Sequence, residues 1–189
     1  MASSSPLYET YRFSVEDYHR MAEAGILVED ARVELIEGEI VTKRPIGSRH
    51  LACVDRLTGL LARGVGFRAI LRVQGSIRLG DRSEPEPDLV LLRPRQDYYA
   101  AIPATPGDVL TLIEVMDSSA GYDREIKLGL YAREEVAEVW LVDLNKEWIE
   151  VHRRPISGVH TEIQIRPRGE SVSPEAFPDL VLAVDSILG

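Results

Sequence analysis

The chain has 189 residues, of which 44% are hydrophobic and 28% charged, and these proportions are those of an ordinary globular protein with a sizeable core. The formal net charge of −9 counts against a broad nucleic-acid-binding surface, which needs clustered Lys and Arg, but it is compatible with a local basic groove. A single cysteine, Cys53, excludes an intrachain disulfide, and no apolar run has membrane-spanning length. We therefore expect one domain over residues 1–189, with a flexible tail over 1–11.

The first half of the chain alternates between helical and strand-like patterns. Ser14 and Asp17 have the spacing of a capping box, in which each side chain bonds the other's backbone, and this predicts a helix that starts at Val15. Polar and apolar residues alternate on both sides of Gly38, which predicts a β-hairpin with its turn at that glycine. The elements predicted here are a helix over 15–24, hairpin strands over 32–37 and 39–43, a helix over 49–63 closed by Gly64, and strands over 67–73 and 76–79.

The second half contains three apolar runs of strand length. Residues 87–92, 109–115 and 138–144 are nearly continuous in apolar character, which predicts strands buried on both faces in the middle of a sheet. Residues 123–134 have a helical pattern, and turn residues at Pro155-Ile-Ser-Gly158 predict a second hairpin. The strands predicted at the end of the chain are 148–153, 159–165 and 180–184. The fold class predicted is α/β, with a central mixed β-sheet flanked by helices and a β-hairpin at each end of the chain.

Two acidic residues occupy defined places in these apolar runs. Asp88 begins one strand and Glu114 lies near the end of the next. If the two strands are antiparallel neighbours, about 4.8 Å apart, both carboxylates come to the same end of the sheet and can bind one ion. Carboxylate oxygens are ligands that Mg²⁺ prefers, and a water on such an ion can attack a phosphodiester. Taken singly, each residue favours a structural role, Asp88 as a strand-start or turn residue after Pro87 and Glu114 as a buried acid with a partner.

Lys127 follows on the predicted helix over 123–134. An ammonium group there can orient the attacking water or stabilise the charge that develops on the phosphate. A structural alternative is that Asp123 and Lys127, four residues apart with the acid first, form a helix ion pair worth a few tenths of a kcal/mol. Tyr131 continues the same face, which looks either to solvent or into the metal site.

The order of these residues resembles the PD-(D/E)XK nuclease superfamily and, within it, the Uma-type restriction endonucleases. Pro87-Asp88 and Glu114-Val115-Met116 supply the two acids, but Met116 stands where the superfamily's usual lysine is expected. In the Uma-type branch the lysine comes from the following helix, in an Asp…Lys…Tyr setting. The residues that match this setting are Asp123, Lys127 and Tyr131.

The resemblance covers nearly the whole chain, from about Tyr11 to the closing strand. The hairpin Glu34-Leu-Ile-Glu-Gly38-Glu-Ile, the strand Trp140-Leu-Val-Asp143 and His50 at a helix start also match. It implies that Glu34 binds the metal through water, whereas Glu37, three residues on and so on the opposite face of the strand, is predicted to be a turn residue. His50 is an auxiliary candidate that touches the scissile phosphate, or else a polar contact at the helix start.

The leading hypothesis is therefore a Mg²⁺- or Mn²⁺-dependent endonuclease that hydrolyses DNA with Asp88, Glu114, Lys127 and Glu34. Because cutting both strands of a duplex uses two sites related by a two-fold axis, a homodimer is expected. The start of the chain lacks the segments of a secretory signal, so we expect a cytoplasmic protein with no membrane partner. Two alternatives stay open: a nuclease fold that serves as a binding or assembly module, which the acidic charge favours, and a phosphodiesterase with a closed pocket for a small nucleotide.

Overall fold

The computed structural model describes residues 10–28, 31–43, 45–117 and 120–189, without the side chains of Ala120 and Asp123. The first elements are helix α1 (Val15–Glu23), strands β1 (Val33–Ile36) and β2 (Glu39–Thr42), and helix α2 (Ser48–Val65). The predicted capping box is present, since the Ser14 hydroxyl accepts from the Asp17 amide and the Asp17 carboxylate accepts from the Ser14 amide. β1 and β2 form the predicted hairpin as a separate two-stranded sheet. Residues 1–9 of the predicted tail lie outside the described residues.

Helix α2 is longer than predicted, because Gly64 does not end it. The helix continues to Val65 and ends at Gly66, whose φ of +54° is in the region that favours glycine. Gly64 lies inside the helix, where an added Cβ would meet Leu180 Cδ1 at 2.3 Å. The prediction was wrong because this glycine permits the close passage of the C-terminal segment and does not mark a helix end.

Six strands form the central sheet. After β1 and β2 they are β3 (Ile70–Val73), β4 (Leu89–Leu92), β5 (Val109–Met116), β6 (Glu138–Asp143), β7 (Trp148–Ile156) and β8 (Val159–Pro167). They lie side by side in chain order, with β5 and β6 parallel and every other pair antiparallel, so the sheet is mixed as predicted. The strand predicted over 76–79 is wrong, since Leu79 makes only an isolated bridge with Ser83.

Each face of the sheet is covered by its own hydrophobic cluster. On one face, Leu57 and other apolar residues of α2 pack with Leu89 of β4. On the other face, Leu130 and Tyr131 pack with Val90, the next residue of the same strand. Successive side chains of a strand point to opposite faces, so a strand covered on both sides needs apolar residues at every position. This explains why the central strands are continuous apolar runs.

The helical segment after β5 is not a uniform α-helix. Helix α3 (Ala120–Tyr122) is followed by a π-helical turn (Asp123–Lys127) and then by helix α4 (Leu128–Arg133). The sequence predicted a helix here but not the π turn, whose hydrogen bonds span five residues instead of four. An apolar pattern over a dozen residues does not resolve one additional residue in a turn.

The C-terminal part consists of the predicted hairpin, formed by β7 and β8, and a small cap. The cap contains strands β9 (Ser171–Val172) and β10 (Leu182–Ala183), which pair with each other, and helix α5 (Val184–Leu188). The strand predicted over 180–184 is therefore short, because Val184 already begins a helix whose apolar residues join the cluster with α2. Within the described ranges, every helix is too short or too polar to cross a bilayer.

Candidate active site

The register of β4 and β5 brings Asp88 and Glu114 to the same end of the sheet. The strands are antiparallel with Leu89 opposite Ile113, so the next position of this register sets Asp88 beside Glu114. The Val115 amide donates to Asp88 Oδ2 over 2.8 Å, which ties the residue before β4 to the end of β5. The two acids therefore meet as the positions in the sequence predicted.

Lys127 reaches these acids from the last position of the π turn. Its Nζ lies 3.2 Å from Glu114 Oε1 and 3.1 Å from Glu34 Oε2. All three side chains are buried, with at most 5% exposure. The alternative in which Lys127 faces solvent is therefore wrong, because the ammonium joins the hairpin to the central sheet. The side chain of Asp123, its candidate helix partner, lies outside the described residues.

Tyr131 stands one turn further along the same helical segment. Its hydroxyl donates to Glu114 Oε1 over 2.5 Å, and its ring is fully buried. Residues four apart share one face of a helix, so Lys127 and Tyr131 approach the same carboxylate oxygen together. These two donors fix the orientation of the Glu114 carboxylate.

Glu34 and Glu37 lie in different surroundings, as predicted, since Glu34 is inside β1 and Glu37 is in the turn that follows the strand. The buried Glu34 carboxylate accepts from the Glu86 backbone amide over 3.2 Å, in addition to its contact with Lys127. Glu37 lies in the turn with a φ of +49°, and its carboxylate pairs with Arg133 at the surface over 2.6 Å. Only Glu34 of the two therefore belongs to the site.

His50 holds Asp88 from the first turn of α2. Its Nε2 lies 2.9 Å from Asp88 Oδ2, and the Asp88 side chain, at 13% exposure, is the most exposed of the three acids. This contact was not predicted, since the sequence offered only a phosphate contact or an undefined polar contact for His50. Residues 38 positions apart are brought together by the packing of α2 on the sheet, which no local pattern reveals.

The three acids and the lysine line one cleft of about 280 Å³. We call these side chains the cleft cluster, which consists of Glu34, Asp88, Glu114 and Lys127. The start of α2 and the β1–β2 hairpin form the other walls, with Arg32 and Lys43 as basic lining residues. Lys43 pairs with Glu86 over 3.0 Å, and Glu86 was not among the predicted site residues. The sequence did contain a signal for Glu86, because Glu86 and Asp88 are two residues apart and so point to the same side of an extended chain.

The donor set of the cleft cluster fits a hard divalent cation. Three carboxylates and one ammonium leave an excess of negative charge that a cation can neutralise. Within the described residues, no group of three or more His, Cys, Asp or Glu side chains has the geometry of a metal site. A protein contribution of two carboxylates, Asp88 and Glu114, suits Mg²⁺, which keeps several of its waters.

A second cluster of titratable side chains, three of them buried and Arg124 half-buried, lies under the π turn, and we call it the anchor network. Its members are Arg124, Asp143, Glu150 and His152. The Arg124 guanidinium donates to Glu150 Oε1 over 2.5 Å and to Asp143 Oδ2 over 3.3 Å. Hydrogen bonds from His152 and then Arg124 lower the pKa of Glu150 to about 2. None of these four side chains lines the cleft.

Comparison with known proteins gives a family and a fold. The family model "Uma2: Putative restriction endonuclease" matches residues 15–185. Among solved structures, the crystal structure of "a putative nuclease belonging to DUF820" from Anabaena variabilis ATCC 29413 is similar, with a TM-score of 0.73 at 17% identity, over 93% of this chain and 97% of that one. At this identity the likeness shows a shared restriction endonuclease-like fold. No curated protein gives a significant match.

Proposed function

Because this chain belongs to the Uma2 family, we propose that it is a Mg²⁺- or Mn²⁺-dependent endonuclease that hydrolyses phosphodiester bonds of DNA. One observation carries the proposal: the cleft cluster is assembled in a single cleft from side chains that are distant in sequence. Structural acids have no need to converge at a cavity wall, whereas a phosphodiesterase site requires it.

Asp88 and Glu114 hold the metal ion in this proposal, and Glu34 contacts it through water. When bound, such an ion activates a water as nucleophile and neutralises charge on the phosphate. His50 and the Val115 amide both contact Asp88 Oδ2 and so keep the Asp88 carboxylate in place. Contacts of this kind raise metal affinity because the ligand loses less freedom on binding.

Lys127 has the electrostatic role. Its ammonium stabilises the negative charge that builds on the phosphate oxygens, or orients the attacking water. Met116, at the place of the superfamily's usual lysine, is fully buried in the apolar cluster that contains Leu130 and Tyr131. The helical segment therefore supplies the cation that this position does not.

Basic residues in the cleft can contact the phosphates of a DNA backbone although the chain as a whole is acidic. Arg32 and Lys43 line the cleft, so the net charge of −9 does not prevent phosphate contacts at this place. Contacts to phosphate oxygens position a nucleic acid without reading its sequence. The basic lining thus supports a phosphodiester substrate in general.

Asp88→Asn tests the proposal, with Asp179→Asn as the matched control. Asp179 belongs to the second Pro-Asp dipeptide of the chain, is 64% exposed and pairs with Arg68. We expect the Asp88 variant to cleave supercoiled plasmid DNA about 1,000-fold more slowly than wild type and to lose Mn²⁺ binding in calorimetry. The Asp179 variant should keep both. Cleavage by the Asp88 variant at the wild-type rate would exclude the proposed site.

One observation favours a second function, a binding or assembly module with structural carboxylates. The direct ion pairs of Lys127 with Glu34 and Glu114 already compensate buried acids, which buried charges require in any protein. Under this function, titration of the wild type with Mn²⁺ gives no heat and no shift in melting temperature. If metal binds, cleavage assays with plasmid, single-stranded DNA and a small nucleotide separate the endonuclease from the small-nucleotide phosphodiesterase.

A further inference from the structure

Strand β8, at the end of the central sheet, exposes a row of apolar side chains. Within the described residues it pairs with β7 alone, so its other edge has no strand partner. The side chains of Val159, Ile163 and Ile165 are 60%, 58% and 51% exposed. An edge strand of nine residues with exposed branched side chains is a template for pairing with another strand.

The remaining side chains of β8 give the strand a symmetric pattern about Gln164. Isoleucines flank Gln164 on both sides, while Glu162 precedes it by two residues and Arg166 follows it by two. Gln164 donates to Glu162 Oε1 over 2.8 Å and accepts from Arg166, so the three side chains form one ladder. The strand therefore carries an acid and a base at equal distances from its centre.

We propose that β8 pairs antiparallel with β8 of a second copy of the chain, about a two-fold axis that passes through Gln164. In this register Ile163 lies opposite the partner's Ile165, and Glu162 lies opposite the partner's Arg166. The two-fold axis repeats both pairs, because an interface between identical surfaces makes every contact twice. Apolar and opposite-charge pairs of this kind stabilise antiparallel strands.

The positions of the acid and the base along β8 indicate that its partner is a second copy of the same strand. Antiparallel self-pairing brings together residues at equal distances from the axis, and here these are an acid with a base and isoleucine with isoleucine. If the axis moved to Ile165, Ile163 would face the partner's Pro167 and Gln164 would face the partner's Arg166. If it moved to Ile163, Glu162 would face the partner's Gln164 and Thr161 would face the partner's Ile165. Among the residues of β8, only the register about Gln164 pairs the acid with a base and both isoleucines with each other, and this fixes the alignment of the two strands.

The proposed interface is independent of the proposed nuclease activity. β8 is three strands from β5, about 14 Å across the sheet, so the pairing leaves the cleft uncovered. A dimer without cleavage, or cleavage by a monomer, would each contradict one proposal and leave the other standing.

Charge reversal with rescue tests the pairing in the full-length protein. Glu162→Arg and Arg166→Glu each place like charges opposite one another, whereas the double variant restores opposite charges. By sedimentation equilibrium we expect the wild type to have twice the chain mass of 21.1 kDa. Each single variant should raise the dimer dissociation constant at least about tenfold, and the double variant should return it to near the wild-type value. A monomeric wild type at micromolar concentration, or a double variant no better than the single variants, would overturn the proposal.

A cross-link at the axis tests the register itself. Gln164→Cys places two thiols opposite each other at the spacing of paired strands, which a disulfide can span, and the native Cys53 is buried. Mild oxidation with diamide should give a covalent dimer of this variant. Thr161→Cys is the control, because its thiol would face the partner's Pro167 and should stay unlinked. Equal cross-linking of the two variants, or none in either, would contradict the alignment at Gln164.

A charge introduced into the exposed apolar row of β8 gives a third test of the interface. Ile163→Lys should dissociate the dimer, whereas Val181→Lys, at a side chain that is 65% exposed elsewhere on the surface, should not. Circular dichroism confirms that both variants fold. An Ile163 variant that is folded and still dimeric would count against the proposed surface.

Discussion

One row of the central sheet carries two buried glutamates that differ in their surroundings. Glu114 on β5, Leu141 on β6 and Glu150 on β7 stand opposite one another in register. The helical segment over this row provides Lys127 to the first glutamate and Arg124 to the second. The fully buried Leu141 lies between the two ion pairs.

The two glutamates differ in how their charge is balanced. Glu150 meets Arg124 and His152 and accepts from the Trp148 indole over 3.1 Å, and none of these groups lines the cleft. Glu114 shares its lysine with another acid at the wall of a cleft. A buried acid therefore does not by itself mark a functional site. An excess of acids over bases beside a cavity is the more informative signal.

Replacing each of the two glutamates by glutamine should have the larger effect on cleavage at Glu114. Glu114→Gln removes a proposed metal ligand but keeps the shape of the side chain, so we expect cleavage to fall about 1,000-fold with little loss of stability. Plasmid cleavage assays and thermal melting measure the two effects. Wild-type cleavage by this variant would remove Glu114 from the proposed mechanism.

Glu150→Gln should instead lower the stability of the protein and have little effect on cleavage. The amide removes the nearer charged partner of the half-buried Arg124 guanidinium, which keeps only Asp143 at 3.3 Å, and we expect the free energy of unfolding to fall by about 2 kcal/mol. Cleavage by the folded protein should drop less than about tenfold, because the anchor network acts on Lys127 only through the π turn. Urea unfolding measures the free energy of unfolding. A variant as stable as wild type would mean that the network contributes no net stabilisation.

The pH dependence of stability should distinguish the two glutamates further. The pKa of Glu150 is about 2 in the folded protein against an ordinary 4.5, so between these values the unfolded chain binds more protons. Its contribution to stability is therefore present above this window and is lost as the pH falls through it. Melting temperatures between pH 2 and 5 should depend less steeply on pH in Glu150→Gln than in wild type. An unchanged slope would contradict the lowered pKa.

A smaller loss of cleavage than that of Glu114→Gln is expected at Tyr131. Tyr131→Phe removes one donor from Glu114 Oε1, which should slow cleavage about tenfold and lower stability by about 1 kcal/mol. Tyr99→Phe is the control, since the Tyr99 hydroxyl donates to the Arg93 carbonyl over 2.8 Å outside the cleft. It should lose similar stability and no activity. Equal rates in the two variants would show that Glu114 needs no orienting hydroxyl.

The sheet and the meeting of Asp88 with Glu114 could be predicted because they follow from local patterns. An apolar run reports burial on both faces, and two antiparallel neighbours bring a strand start beside a strand end. Counting the alternation of side chains separated Glu34 from Glu37 in the sequence, and the structure places Glu34 inside β1 and Glu37 in the turn beyond its end. These features depend on residues that are close in sequence or on one pairing of strands.

The contacts that complete the site could not be predicted, because they arise from packing. His50 reaches Asp88 only after α2 docks on the sheet, and Tyr131 reaches Glu114 only after α4 covers the other face. The local pattern predicts a helix end at Gly64, whereas the need for a glycine there comes from Leu180, which only the complete fold brings beside it. The sequence contains all of these residues, but their partners depend on the relative positions of whole elements.

The π turn also changes the direction in which the helical segment presents its charges. In an unbroken α-helix, side chains three positions apart such as Arg124 and Lys127 would project only about 60° from each other around the axis. The wider turn increases that angle, so a single segment contacts both β5 and β7 with its two cations. Deleting one residue of the turn would restore the regular α-helical phase. The segment could then keep only one of its two ion pairs, either that with β5 or that with β7.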